Sequence, residues 1–177
     1  QYAERLREAS LDTSGGAIGI PIVWGTDAVH GHNNVRGATI YPHNIGLGAT
    51  RNAALAQEIG VATAEAVAAT GIDWIFGPMV AQAQDFRWGR SYESYSNDPD
   101  LVRDYAFSVI EGIQSLGLAA TAKHFIGDGG TDRGIDQGNT LASDADLLAE
   151  HASGYEGAIA ADVLSVMATF NSVRGEK

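Results

Sequence analysis

The segment LAATAKHFIGDGG, residues 118–130, contains an apolar run that ends in two basic side chains and a glycine-rich turn. The apolar part is typical of a buried strand, and Lys123 and His124 stand where that strand would end. Asp128 and the glycines around it are typical of a tight turn. The segment therefore predicts a buried strand that delivers charged side chains to a loop.

Three more β-rich runs of this kind, residues 20–26, 73–80 and 164–170, recur at similar intervals along the chain. The clearest helical pattern between them is residues 98–117, in which Asp98 favours an N-cap and Gly117 an end. Its predicted apolar stripe consists of Val102, Tyr105, Val109, Ile113 and Leu116.

Two further helices complete the pattern. Residues 53–69 repeat the apolar periodicity, and Ser143 with Asp146 predicts a capping box. Strands that alternate with helices indicate a parallel sheet, either an open doubly wound sheet or a (β/α) barrel. Polar residues are frequent in the loop after each predicted strand, where barrels place their active sites. No G-x-G-x-x-G or phosphate-loop pattern follows the first strand. We therefore favour the barrel.

Four βα units make only the first half of a (β/α)8 TIM-like barrel, which needs roughly 250 residues and eight strands. We expect residues 1–177 to be a single partial barrel domain. The last predicted strand would be an open edge, so we expect the remainder of the barrel, or a second copy, to pair with it.

Composition limits the partners. Acidic residues number 22 against 11 basic ones, a net charge of -11, which argues against a nucleic-acid or anionic-membrane surface. With no cysteine, the chain has neither a disulfide framework nor a thiolate metal site, and its redox compartment stays open. No stretch approaches the length of a membrane span.

From the residues alone, Lys123 has two interpretations of equal weight, a ligand site or a structural ion pair at a barrel rim. His30 and His32 are spaced to share a metal, but no supporting ligand follows, so we expect loop hydrogen bonds instead. Trp88 suits either stacking on a sugar or packing inside its loop. Asp128 is more typical of a side chain that caps its own turn than of a substrate contact.

Three stretches, WGTDAVHGHNN, DFRWGRSYESYSNDPDLV and KHFIGDGGT, closely resemble the N-terminal barrel of glycoside hydrolase family 3, in its β-glucosidase and exo-β-glucanase branch. The resemblance runs from about residue 20 to residue 175. It implies a retaining hydrolase that removes terminal non-reducing β-D-glucosyl residues from β-glucans or β-linked gluco-oligosaccharides. No cofactor and no metal are expected.

By the same resemblance, Asp27, Arg90, Lys123 and His124 bind the hydroxyls of the terminal glucose, with Trp88, Glu93 and Asp128 in support. A carboxylate beside a cation can accept and donate toward a hydroxyl. Lys123 is therefore expected to orient hydroxyls and to neutralise Asp27 or Asp128. We also expect Arg87, Arg90 and Glu93 to form an ordering network.

The resemblance places the catalytic residues outside this chain. The nucleophile of the family, an Asp in a G-F-V-x-S/G-D-W type motif, has no counterpart before Lys177, and the acid/base is a Glu of a second domain. We expect residues 1–177 alone to be inactive. A second departure is TFNSVRG, in which Phe170 replaces the Tyr of many relatives.

Two alternatives stay open. One is a non-catalytic carbohydrate-binding or assembly fragment. The other is a β-N-acetylhexosaminidase of the same family, whose KHFPGHG pattern has a His where this chain has Asp128. A periplasmic or extracellular location is expected, although this chain contains no signal peptide.

An ideal strand would send Lys123 and His124 to opposite faces, one into the barrel and one toward the helices. If both line one pocket, the backbone from Lys123 to Phe125 must break its pleat, through a bulge or a strained or cis peptide bond.

Overall fold

The computed structural model describes residues 2–177. Its helices are α1 Tyr2–Leu11, α2 Asn44–Ala49, α3 Ala53–Ala68, α4 Pro99–Gln114, α5 Asp144–Asp146 and α6 Ser153–Ala160. Its strands are β1 Gly25–Thr26, β2 Trp74–Ile75, β3 Thr121–Phe125, β4 Asn139–Thr140, β5 Ser165–Ala168 and β6 Ser172–Val173. Short 3-10 turns cover Ser91–Glu93, Asp128–Gly130 and Asp132–Gly134, and a π turn covers Leu147–His151.

The main strands are parallel and lie side by side in chain order. β1 pairs with β2, and β3 pairs with β5. Parallel bridges from Trp74 to Ala119 and from Met79 to Lys123 connect the β2 region to the β3 region. In a doubly wound sheet the strand order would reverse at a switch point, whereas a barrel keeps chain order. The predicted α/β class, parallel strands alternating with helices in a TIM-like barrel, is confirmed.

The strands differ in detail from the predicted runs. Of residues 20–26 only Gly25 and Thr26 form a strand, and Ile20 stays 64% exposed. A strand needs a hydrogen-bonding neighbour, and β2 offers one only to this short segment. The parallel pair β4 and β6 was not predicted from the sequence.

The predicted helices are confirmed, with one error. The Asp98 side chain caps α4 by accepting from the backbone N–H of Asp100 at 3.1 Å. Four residues of the predicted stripe are buried, but Leu116 is 43% exposed because α4 ends before it, at Gln114. Ser143 and Asp146 form the predicted capping box.

Glycines set the spacing of the helical layer. A Cβ atom at Gly112 of α4 would lie 2.4 Å from the backbone oxygen of Gln57 in α3. A Cβ atom at Gly157 of α6 would lie 2.1 Å from the oxygen of Arg103 in α4. α3, α4 and α6 therefore pack against one another with their backbones in contact. None of the helices within residues 2–177 combines the length and the apolar character needed to cross a membrane.

Candidate functional site

Lys123 and Asp27 join the loops that follow two different strands. Lys123 lies in β3, and its Nζ donates a hydrogen bond of 2.8 Å to Oδ1 of Asp27, which follows β1 directly. The Lys123 side chain is 3% exposed, whereas that of Asp27 is 57% exposed. Within residues 2–177, Oδ2 of Asp27 has no hydrogen-bond partner. The pair therefore presents a fixed carboxylate with an oxygen open to an incoming hydroxyl.

The backbone of β3 breaks its pleat where the sequence predicts that it must. The Lys123–His124 and Phe125–Ile126 peptide bonds are both cis. Lys123 pairs with Met167 and Phe125 with Ala168, so His124 is an additional residue without a counterpart in β5. With this additional residue, Lys123 and His124 both reach the loops at the carboxyl end of the strands, and the predicted irregularity is confirmed.

His124 contacts the glycine-rich turn that follows its strand. Its Nδ1 lies 2.9 Å from Oδ2 of Asp128, with side-chain exposures of 12% and 10%. Because a carboxylate only accepts, this ring nitrogen is the donor. The prediction that Asp128 caps its own turn is wrong, since no side-chain cap is present there and the imidazole occupies the carboxylate instead. Lys123 selects Asp27 and not Asp128.

Arg90 is held in one orientation by Glu93. Its Nε donates to Oε1 at 2.7 Å and its Nη2 to Oε2 at 2.9 Å, a paired geometry in which Glu93 is nearly buried. These hydrogen bonds raise the pKa of Arg90 above its ordinary value, and the carboxylates of Asp128 and Asp136 act in the same direction. The predicted ordering contact between Arg90 and Glu93 is confirmed.

The other predicted residues of this loop, Trp88 and Arg87, contact protein side chains within or beside the loop. Trp88 is 2% exposed and its indole N–H donates to Oδ1 of Asp136 at 2.9 Å, so its interpretation as a stacking platform is wrong. Arg87 does not join the Arg90 network but pairs with Asp85. The hydrogen bonds from Arg87 lower the pKa of Asp85 to about 2.

Two loop histidines make the predicted hydrogen bonds. Nδ1 of His30 donates to the backbone oxygen of Tyr41 at 2.9 Å, and Nε2 of His32 lies 3.0 Å from Oγ1 of Thr70. His30 also stacks on His43 with ring centroids 3.9 Å apart. Burial lowers the pKa of His43, and the neighbouring His30 adds to this effect. Within residues 2–177, no three histidine, aspartate or glutamate side chains converge as a metal site.

One small pocket collects side chains from the second, third and fourth loops. Arg90, His124, Asp128, Asp136 and Phe170 all line it. The sequence did not single out Asp136, because one aspartate in a polar loop carries no spacing signal of its own. The pocket combines the cationic donor of Arg90, a histidine ring, carboxylate acceptors and an exposed aromatic ring, a set that suits a ligand with several hydroxyls.

Comparison with known proteins identifies the fold and its relatives. The model of the glycosyl hydrolase family 3 N-terminal domain matches residues 1–177. A β-glucosidase of Rhizobium radiobacter is 32% identical over 171 residues, which are 89% of this chain and 20% of that protein.

Two solved structures are similar along nearly the whole chain. An exo-1,3/1,4-β-glucanase from a Pseudoalteromonas species has a TM-score of 0.95 and 55% identity, over 98% of this chain and 23% of the larger one. A mutant β-glucosidase from Listeria innocua in complex with laminaribiose has a TM-score of 0.90 and 28% identity, over 98% of this chain and 24% of that one. The match of the family model over the whole sequence shows that the chain belongs to the N-terminal domain of glycosyl hydrolase family 3.

Proposed function

We propose that the protein carrying this chain hydrolyses terminal non-reducing β-D-glucosyl residues of β-glucans or β-linked gluco-oligosaccharides, with retention of configuration. The observation that carries the proposal is the contact between Lys123 and Asp27, which fixes an exposed carboxylate at the carboxyl end of the strands. Active sites of this fold gather there. Relatives that are β-glucosidases and an exo-β-glucanase support this substrate class.

In this proposal the chain holds the terminal glucose. Asp27 accepts from a ring hydroxyl while Lys123 fixes the carboxylate, and Arg90 donates to another hydroxyl in the orientation that Glu93 imposes. His124 presents its second ring nitrogen, Nε2, because Asp128 occupies Nδ1. Hydrogen bonds between charged groups and hydroxyls are the stronger kind, so the four residues together fix the sugar.

The bond-breaking step needs more than this binding set. A retaining glycosidase uses two carboxyl groups about 5–5.5 Å apart, one as nucleophile and one as acid/base. Asp27, Asp128 and Asp136 each have one oxygen held, by Lys123, by the His124 ring and by the Trp88 indole, which suits holding a sugar better than attacking its glycosidic bond. We therefore place the nucleophile and the acid/base in the part of the relatives that this chain does not span.

The test uses the protein that carries the chain and an aryl β-D-glucoside. We expect release of the aryl group, and proton NMR of the first sugar product should show the β-anomer before mutarotation. Initial release of the α-anomer would contradict retention. A protein that binds laminaribiose without releasing glucose would be a carbohydrate-binding module.

Residues 1–177 alone should not turn over the same glucoside. The binding residues lie in this segment, whereas hydrolysis requires the two carboxyl groups placed elsewhere. Measurable turnover by the purified segment would contradict this assignment.

We also propose a periplasmic or extracellular location, which the name of one relative, a periplasmic β-glucosidase of Salmonella typhimurium, supports. Fractionation of the source cells with detection of the protein would test it. Recovery in the cytosolic fraction alone would overturn this proposal.

A further inference from the structure

The loop of residues 131–138 is packed directly on the loop that carries Arg90. Gly134 allows the two loops to come this close, because its φ is +68° and a Cβ atom there would lie 2.6 Å from the backbone nitrogen of Trp88. This contact brings Asp136 beside the buried Trp88 ring, whose indole N–H donates to Asp136 Oδ1 at 2.9 Å. One oxygen of Asp136 is thus fixed by a side chain that is only 2% exposed.

The second carboxylate oxygen of Asp136, Oδ2, is available to accept a hydrogen bond from a ligand. Within the described part of the chain, residues 2–177, Oδ2 has no hydrogen-bond partner and no cation forms an ion pair with it. Asp136 lines the same pocket as Arg90 and His124. It contrasts with Asp132 in the same loop, which pairs locally with its neighbour Arg133 at 3.3 Å.

Two other groups that line this pocket also have no partner in the described residues. Arg90 donates to Glu93 through Nε and Nη2, and its Nη1 has no partner within residues 2–177. Nε2 of His124 is likewise unoccupied in that range, and in the neutral ring it is an acceptor, because the N–H is at Nδ1 and donates to Asp128. A free guanidinium donor, a free ring acceptor and a free carboxylate oxygen in one small pocket match hydroxyls, which donate and accept at once.

We propose that Asp136 is a further carbohydrate-contacting residue, which accepts a hydrogen bond from one sugar hydroxyl and is positioned by Trp88. The ligand class is a pyranose with free hydroxyls, and the exposed ring of Phe170 offers an apolar wall to its C–H face. This inference rests on the proposed glucosidase function and adds a residue to its binding set.

The test combines a substitution at Asp136 with substrates that each lack one hydroxyl, so that the loss caused by each change can be compared alone and together. Asp136→Asn keeps the shape and an oxygen for the Trp88 indole, but turns an amide N–H₂ toward the pocket in place of the acceptor. Asp132→Asn is the matched control, because it removes a carboxylate of the same loop that does not line the pocket. The probes are nitrophenyl β-D-glucoside and its 2-, 3-, 4- and 6-deoxy analogues.

We expect Asp136→Asn to lower kcat/KM for the glucoside about tenfold to a hundredfold, and Asp132→Asn to leave it within about twofold. The wild type should lose kcat/KM with each deoxy analogue. In Asp136→Asn the loss for one particular hydroxyl should shrink to almost nothing, while the other losses persist. A merely structural role would lower all rates together and leave every deoxy penalty unchanged, which would overturn the inference.

The two proposals fail in different ways. If the wild type hydrolyses the glucoside and Asp136→Asn behaves like Asp132→Asn, only the role of Asp136 is lost. If the wild type does not hydrolyse it, the glucosidase proposal fails. The same comparison is then made on calorimetric binding of D-glucose and the deoxyglucoses, in which unchanged penalties again overturn the contact.

Discussion

At the scale of single residues, the pair of Lys123 and Asp27 is asymmetric, because the lysine is enclosed and the carboxylate is more than half exposed. Exposed Asp27 can be changed to Asn without opening a cavity, whereas changing Lys123 would empty buried space. Asp27 is also the ion partner of the enclosed Lys123, so the Asn variant keeps an oxygen for the lysine but removes the opposite charge.

Asp27→Asn should retain the fold and weaken transition-state binding. Loss of a charged hydrogen-bond partner costs about 1.5–3 kcal/mol, so we expect kcat/KM to fall at least tenfold. The measurement is kcat/KM on an aryl β-glucoside in the protein that carries the chain. Asp12→Asn, on the exposed surface beside Ser14, is the control. Equal values for the wild type and Asp27→Asn would remove Asp27 from the site.

His151 should make the protein less stable in mild acid. Burial lowers its pKa in the folded state, although the charges of Glu150, Asp128 and Asp146 oppose this. The unfolded chain takes up the proton near the ordinary value of about 6.5. Below that pH the unfolded state binds more protons than the folded one, so the free energy of unfolding falls as the pH falls.

The substitution His151→Gln removes this titration. We expect it to lower Tm at pH about 7.5, because the ring packs on Gly130, yet to lose less Tm than the wild type between pH about 7.5 and about 5. Thermal unfolding followed by circular dichroism at both pH values gives the comparison. Parallel losses in the two proteins would show that His151 does not titrate in this way.

The residues of the site were predictable only in part. Lys123, His124, Asp27 and Arg90 stand in recognisable stretches after predicted strands, and the structure places each at the carboxyl-end loops. The partner of each was less predictable, because it depends on contacts across loops. Asp128 lies four residues from His124 but meets it only after β3 gains an additional residue. Asp136 contacts Trp88, which is 48 positions away in the sequence, so no local sequence pattern predicts this contact.

At the scale of elements, α3 and α4 pack with their backbones in contact at Gly112. Gly112→Ala would place a Cβ atom 2.4 Å from a backbone oxygen of α3, which cannot swing away as a side chain can. Overpacking costs typically about 1–3 kcal/mol, which exceeds the gain of about 1 kcal/mol that Ala brings to a helix. We expect a net loss of stability.

The control for this substitution is Gly15→Ala, where a Cβ atom would meet nothing within 4 Å. Urea unfolding should move to a lower midpoint for Gly112→Ala and stay within error for Gly15→Ala. A midpoint of Gly112→Ala at or above that of the wild type would mean that the helices separate without cost.

Helices were easier to predict than strands for a physical reason. The N-cap at Asp98 and the capping box at Ser143 are local, so their residues appear close together in the sequence. The limits of β1 depend on β2, which lies nearly fifty positions away in sequence. An apolar run such as residues 20–24 cannot reveal whether a neighbour exists.

At the scale of the whole molecule, β5 is an edge in the described residues, with β3 on one side only. Val166 is 49% exposed and Leu164 is 69% exposed on this edge. An open apolar edge pairs readily with another chain. A polypeptide of residues 1–177 should therefore self-associate as its concentration rises.

Val166→Lys should suppress that association, because a charge on an edge strand opposes pairing. The comparison is the weight-average mass from sedimentation at matched concentrations, with Ile18→Lys, an exposed apolar position outside the strands, as the control. Equal association of both variants would show that another surface is responsible.

The additional residue in β3 also limits how the site could be grafted into another barrel. Up to Lys123 the strand follows one parity of inward and outward positions, and from Phe125 it follows the opposite one. A graft of the Lys123 and His124 pair into a regular barrel strand would turn one of the two outward. Deleting His124 would restore parity to the strand and release Asp128 from its partner. An engineer must therefore move residues 121–131 as one cassette, including the turn, for both side chains to arrive at the same place.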